Sequence, residues 1–147
     1  MRTVFLVVFM LSAFVSFGQS PNPVKWTFSG KKGNNPNEYI LVASAHIQEG
    51  FHVFSPQPGG DGLLIPTEIT ISNKQSLTKT GSLIPQRRPV TKEMTGVGMV
   101  NYYEGDIDFT IRVEASKAPI LEGILTFQCC NEQMCLPPTD VPFKVKL

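Results

Sequence analysis

Charge of either sign is scarce in this sequence, and so is any excess of one sign over the other. Asp, Glu, Lys and Arg make up 17% of the 147 residues, and 13 basic side chains stand against 12 acidic ones. Without a basic surplus there is no electrostatic footprint for nucleic acid or an anionic membrane. A Gly-rich phosphate loop behind a strand, a Gly-x-Ser-x-Gly elbow and a metalloprotease helix are all missing, so nucleotide, serine-hydrolase and zincin chemistry lose their usual signatures. Histidine is limited to His46 and His52. Neither stands at a spacing that would complete a four-ligand zinc site with the distant cysteines, so no metal and no cofactor is expected. Asp106 and Asp108 share the outer face of one strand, as exposed strand carboxylates commonly do, and suggest no hydrolase. Repeats and low-complexity stretches are absent, and no run shows helical periodicity.

The one long apolar run is at the start. Met1 to Gly18 carries a single basic residue, Arg2, then an apolar stretch from Val4 to Phe17 with Ser16 and Gly18 near its end. That is the layout of a cleavable signal peptide. The run is short for a membrane span, and no cysteine follows the expected cut to carry a lipid anchor. Residues 1–18 are therefore read as signal peptide and residues 19–147 as one exported domain, long enough for a real core. Removal of Arg2 leaves 12 basic against 12 acidic residues. Export to the periplasm or beyond changes the meaning of cysteine, because disulfides persist there. The three cysteines leave at least one thiol unpaired or intermolecular.

Period-two alternation dominates the remainder of the chain. Val24, Trp26 and Phe28 are spaced to face inward from a first strand, Val24 to Ser29, with a loop from Gly30 to Asn37 after it. Glu38 to Gln48 puts Tyr39, Leu41, Ala43, Ala45 and Ile47 on one face and His46 on the solvated other. Pro56 to Pro66, with its Pro-Gly-Gly-Asp-Gly, reads as a loop. Thr67 to Ser72 and Leu77 to Ile84 read as strands, the second weakened by Gly81. Pro85 to Pro89 breaks the pattern around Arg87 and Arg88, a solvated turn or an acidic-partner contact. Val90 to Asn101 is the least regular part, and Tyr102 to Gly105 reads as a turn. Asp106 to Val113 alternates strictly, as does the closing run Val141, Phe143, Val145 and Leu147. About eight short strands separated by turn signals imply an all-β, immunoglobulin-like antiparallel sandwich.

All three cysteines lie in one stretch, Leu125 to Pro138, closed by a Pro-Pro that cannot continue a ladder. In an extended run, Leu125, Phe127 and Cys129 share the apolar face, so Cys129 points inward. Cys130 emerges on the more polar face, next to the turn Asn131-Glu132-Gln133, from which the chain can fold back to present Cys135. A ring of about six residues would contribute only about 2 kcal/mol of chain-entropy stabilisation. Such a ring suits opening and closing by thiol exchange, although a structural hairpin bridge fits the same residues. A vicinal Cys129–Cys130 bridge would be strained.

Phe127-Gln128-Cys129-Cys130, then Cys135-Leu136-Pro137-Pro138 and a final Val-Pro-Phe-Lys-Val strand, resembles the N-terminal periplasmic domain of the thiol:disulfide interchange protein DsbD. The resemblance implies that Cys130 and Cys135 are the catalytic pair, with Cys129 at a small-residue position. Two departures are a cysteine at that position and a turn one residue shorter; pairing Cys129 with Cys135 keeps the longer spacing but conflicts with the face parity. The family's aromatics near the cysteines correspond to His52 and Phe54 in Glu49 to Ser55, and a histidine there could lower a thiol pKa or relay a proton. A movable cap over the cysteines would fall at Met94 to Gly98, with Met94 in place of an aromatic. The implied activity is protein-disulfide reduction by thiol-disulfide exchange, fed in trans by a thioredoxin-like domain and a membrane reductase and spent on disulfides of exported proteins. Against it stands a non-catalytic exported immunoglobulin-like binding module with a structural hairpin disulfide.

Overall fold

A chain whose apolar residues recur at every second position can hide them only by laying one sheet face against another. The computed structural model describes residues 22–147, so the expected signal peptide lies outside the described residues. In chain order the strands are β1 (Val24–Lys32), β2 (Glu38–Ile47), β3 (His52–Gly59), β4 (Glu68–Ile71), β5 (Lys79–Thr80), β6 (Ile84–Pro85), β7 (Val90–Met94), β8 (Gly98–Tyr103), β9 (Asp106–Glu114), β10 (Ile120–Phe127), β11 (Cys129–Cys130) and β12 (Thr139–Lys146). No α-helix occurs among the described residues. One sheet has the order β1-β2-β9-β5, with β6 also on β9; a second has β12-β10-β4; a third has β11-β3-β8-β7. The immunoglobulin-like antiparallel sandwich expected from the alternation is the fold the chain adopts.

Residues of the first sheet face those of the other two together. Ala43, Ala45 and Phe109 pack with Val53, Tyr103 and Phe127, while Leu41, Ile111 and Val113 pack with Ile71, Leu121 and Phe143. Trp26 bridges the layers, its ring 5.7 Å from Phe109 and 5.4 Å from Phe127. Each buried Val, Leu, Ile or Phe among them contributes roughly 1.5–3 kcal/mol of apolar transfer free energy.

Several segments depart from expectation, each for a local reason. β3 runs on through Pro56 and Pro58 to Gly59, because the β3–β8 register shifts between Phe54 and Gly59 and leaves the prolines free of ladder duty. Gly59 has φ of 73°, and a Cβ there would stand 2.5 Å from the Met99 carbonyl oxygen, so only glycine fits. The irregular stretch Val90 to Asn101 is a β-hairpin, β7–β8, turning at Thr95-Gly96-Val97. Its first strand alternates poorly because Val90, Thr91, Lys92 and Glu93 are all exposed. Tyr102 and Tyr103 belong to β8 rather than to a turn, which falls instead at Glu104-Gly105. Leu77 to Ile84 is no continuous strand; β5 and β6 are two short pieces on β9. Arg87 donates to the Glu104 carbonyl and lies over the Tyr103 ring, so it pins its proline-rich turn to the sandwich. His46 is exposed and bonds Asp106 across the strands, Nδ1 to Oδ1 at 2.5 Å.

Candidate functional site

β10 runs in the sheet with β12 and β4, breaks at Gln128, and resumes as β11 at the edge of the sheet containing β3. The cysteines therefore sit where the chain passes between two sheets. Alternation then sends the two β11 side chains opposite ways. Cys129 stands opposite Val53 and is buried in the core with Tyr103, Leu125 and Phe127. Cys130 stands opposite His52 and is joined to Cys135 by a disulfide, with Cα atoms 4.0 Å apart.

Asn131 builds the reversal between them. Its side-chain oxygen accepts hydrogen bonds from the backbone N–H groups of Gln133 and Met134, each at 2.9 Å, and its own N–H donates to the Met134 carbonyl at 2.9 Å. Outside the ring, the Leu136 N–H donates to the Cys129 carbonyl at 2.8 Å and the Gln128 amide donates to the Leu136 carbonyl at 3.2 Å.

The two sulfur-bearing residues differ in access. Cys135 is exposed, whereas Cys130 is only 1% exposed. The parity that turns Cys130 away from Cys129 holds, but its face is not polar, which corrects the expectation. Cys130 lies in a small second core with Phe54, Val100 and Tyr102, against which Leu64, Met94 and Val97 pack. Phe54 of β3 and Val100 and Tyr102 of β8 stand beside Cys130 in the same sheet, and Leu64, Met94 and Val97 pack on them, so a strand face with no apolar pattern of its own is made apolar by residues from elsewhere in the chain. Of the residues singled out in the sequence, Phe54 and Met94 join Cys130 in this cluster, His52 faces Cys130 across the strand pair, and Cys129 is on the other side. Tyr102 and Val100 were not anticipated; their period-two spacing within Val100-Asn101-Tyr102 was the available signal. Thr67, fully buried, donates its hydroxyl to the Phe54 carbonyl at 2.6 Å and anchors that side of the cluster.

Beside the bridge opens a cavity of about 460 Å³ whose lining includes His52, Lys92, Met94, Tyr102, Glu104 and Glu132. The His52 ring lies 4.5 Å from that of Tyr102 and meets Phe54 edge-on at 5.6 Å. Its Nε2 is buried and has no hydrogen-bond partner. Burial holds the His52 pKa below the ordinary imidazole value; the Glu104 carboxylate pulls it upward and the Lys92 ammonium adds to the lowering. Burial also pushes the Cys129 thiol up to about 11, slightly offset by a hydrogen bond with the His52 backbone. At neutral pH Cys129 is a thiol and not a nucleophile.

A sequence profile described as "Thiol:disulfide interchange protein DsbD, N-terminal" matches residues 21–147. The chain belongs to that family. Among solved structures, the DsbD-type sandwich is shared with the N-terminal periplasmic domain of ScsB from Proteus mirabilis, at 20% identity and TM-score 0.59, over 82% of this chain and 44% of that one. The chain thus spans less than half of that ScsB domain. The DsbD N-terminal domain of Neisseria meningitidis in its reduced form follows at 15% identity and TM-score 0.54, over 83% of this chain and 85% of that one. The complex of the DsbD and PilB N-terminal domains from the same organism gives 14% identity and TM-score 0.53, over 80% of each chain. At these identities the likeness is one of fold. Searched against curated proteins, the chain has no match. Among the described residues no helix is long and apolar enough to cross a membrane.

In this DsbD-family ring the turn, not the bridge alone, brings the sulfurs together. Asn131→Ala removes two side-chain hydrogen bonds that favour the closed geometry, each worth about 0.5–1.5 kcal/mol net. The variant is expected to have a reduction potential about 20–60 mV higher than the parent, since about 30 mV corresponds to 1.4 kcal/mol for two electrons. Titration against glutathione measures it, and an unchanged potential would mean that the turn forms equally well with the ring open.

Proposed function

We propose that this domain is an exported, periplasmic thiol-disulfide exchange module that passes two electrons from a thioredoxin-like reductant, itself supplied by a membrane reductase, to disulfides of exported proteins. The observation that carries this reading is the unequal exposure of the bridge: one sulfur residue lies open on an ordered turn, the other is buried in an apolar cluster. In the reduced domain the Cys135 thiolate attacks a target disulfide, forming a mixed disulfide and expelling one target sulfur as thiolate. Cys130 then attacks the Cys135 sulfur, the Cys130–Cys135 bond forms, and the second target sulfur leaves. The target gains two electrons and the domain loses two. A dithiol reductant restores the domain by the same steps reversed, attacking at Cys135. The complex of the meningococcal DsbD N-terminal domain with a PilB domain supports docking of a partner domain on this fold.

The near-complete burial of Cys130 is the observation that favours the other reading, a binding module with a structural bridge. Reduction potential separates the two. Exchange predicts a value within about −120 to −270 mV, the span of thiol-disulfide oxidoreductases, and a value below about −300 mV would mark the bridge as structural.

A further inference from the structure

A sulfur that must act as a thiolate is held where thiolates are disfavoured. Cys130 is 1% exposed, among Phe54, Val100 and Tyr102, and apolar burial raises a thiol's pKa. Burial pushes the thiol of its neighbour Cys129, on the other face of β11, up to about 11. A closing step that waited for spontaneous ionisation of such a thiol would be slow at neutral pH, so Cys130 needs a base. His52 is its direct partner in the β3–β11 pair, and directly opposed residues hold their Cβ atoms about 4.5–5.5 Å apart on the same face. The His52 ring also touches Tyr102 and Phe54, two of the three side chains that cluster with Cys130.

We propose that His52 is the proton acceptor for the Cys130 thiol, its Nε2 taking that proton as Cys130 attacks the mixed disulfide at Cys135. In the disulfide form the buried Nε2 has no partner; opening the ring creates a thiol S–H that can donate to it. The thiol proton passes to the imidazole, the Cys130–Cys135 bond forms, the Cys135–target bond breaks, and the departing thiolate takes a proton from the imidazolium or from water. In the reverse direction the imidazolium protonates the Cys130 thiolate as it is expelled. The imidazole must start neutral, and burial keeps it so. The charged groups facing it are Glu104 from the β8–β9 turn, Lys92 from β7 and Glu132 from the turn after β11.

The inference rests on the exchange reading, and one experiment separates their failures. The reduced protein is mixed with dithiobis-nitrobenzoate, and release of the coloured thiolate is followed in time. The first equivalent reports attack by Cys135, the second ring closure by Cys130. In His52→Phe, which keeps a ring against Tyr102, the second phase is expected to slow by about 10²-fold at neutral pH, the lower range for general-base catalysis, while the first phase changes little. Its pH profile should move upward to that of an unassisted buried thiol. His52→Gln, which keeps a polar group but cannot titrate near neutrality, should behave alike and covers the case in which His52→Phe misfolds. A second phase with unchanged rate and pH profile in the variants overturns the role of His52. A wild-type protein that never releases the second equivalent overturns the exchange reading itself.

Discussion

Cys135→Ala is expected to abolish exchange outright, and Cys130→Ala to arrest it half-way. With Cys135 gone, the remaining member of the pair is a residue 1% exposed among Phe54, Tyr102 and Val100, out of reach of a partner disulfide. With Cys130 gone, Cys135 keeps its open position on the turn, attacks, and has nothing to release it, so a covalent complex accumulates. Blotting periplasmic extracts without reductant should show high-molecular-weight adducts for Cys130→Ala and none for Cys135→Ala; the opposite pattern would reverse the roles. Both variants lose the six-residue ring and with it about 2 kcal/mol of chain-entropy stabilisation, too little to explain a difference between them. Cys129→Ala should exchange at the parental rate, because its side chain is in the core on the far side of β11. Loss of exchange there would mean that the working pair is Cys129 with Cys135.

The sandwich was legible because its signal is local. β9 alternates along its whole length and β2 over its second half, from Ala43 to Ile47, and a strand that hides one face cannot slip by a residue without exposing it. The separation of Cys129 from Cys130 followed from the same parity. The apolar surroundings of Cys130 did not, because they come from three segments distant in sequence: Phe54 on β3, Tyr102 on β8 and Met94 on β7. A face that is polar in its own strand can still be buried when neighbouring strands supply apolar side chains to it and loop residues pack on those. β7 hid itself for a related reason. An edge strand with Thr91, Lys92 and Glu93 exposed carries charges that discourage edge pairing and erase the alternation that would announce it. Pro56 and Pro58 read as the end of a strand, and their place inside β3 depends on a register shift that only the partner strand reveals.

The side chains packed around Cys130 are expected to decide which sulfur an incoming thiolate can reach, and Met94 is the most accessible test. Met94 is half-buried at the end of β7, packed on the cluster that contains Cys130. Truncating a fully buried Met costs about 2–5 kcal/mol, so a half-buried one should weaken the docking of the hairpin by about 1–1.5 kcal/mol. Local opening of the hairpin is not global unfolding, and a change of that size multiplies the opened population roughly tenfold. In the oxidised wild type, reduced glutathione should therefore attack almost wholly at Cys135, whereas Met94→Ala should show roughly a tenfold rise in the adduct on Cys130. Acid quenching and peptide mass mapping would read the distribution, and hydrogen exchange of the β7 and β8 amides would report the opening independently. Faster amide exchange with an unchanged adduct distribution would show that the hairpin moves without guarding the sulfur. Selection for Cys135 would then lie in the turn at Asn131 and in the direction of the bond it holds, since attack must come along the axis of the bond that breaks.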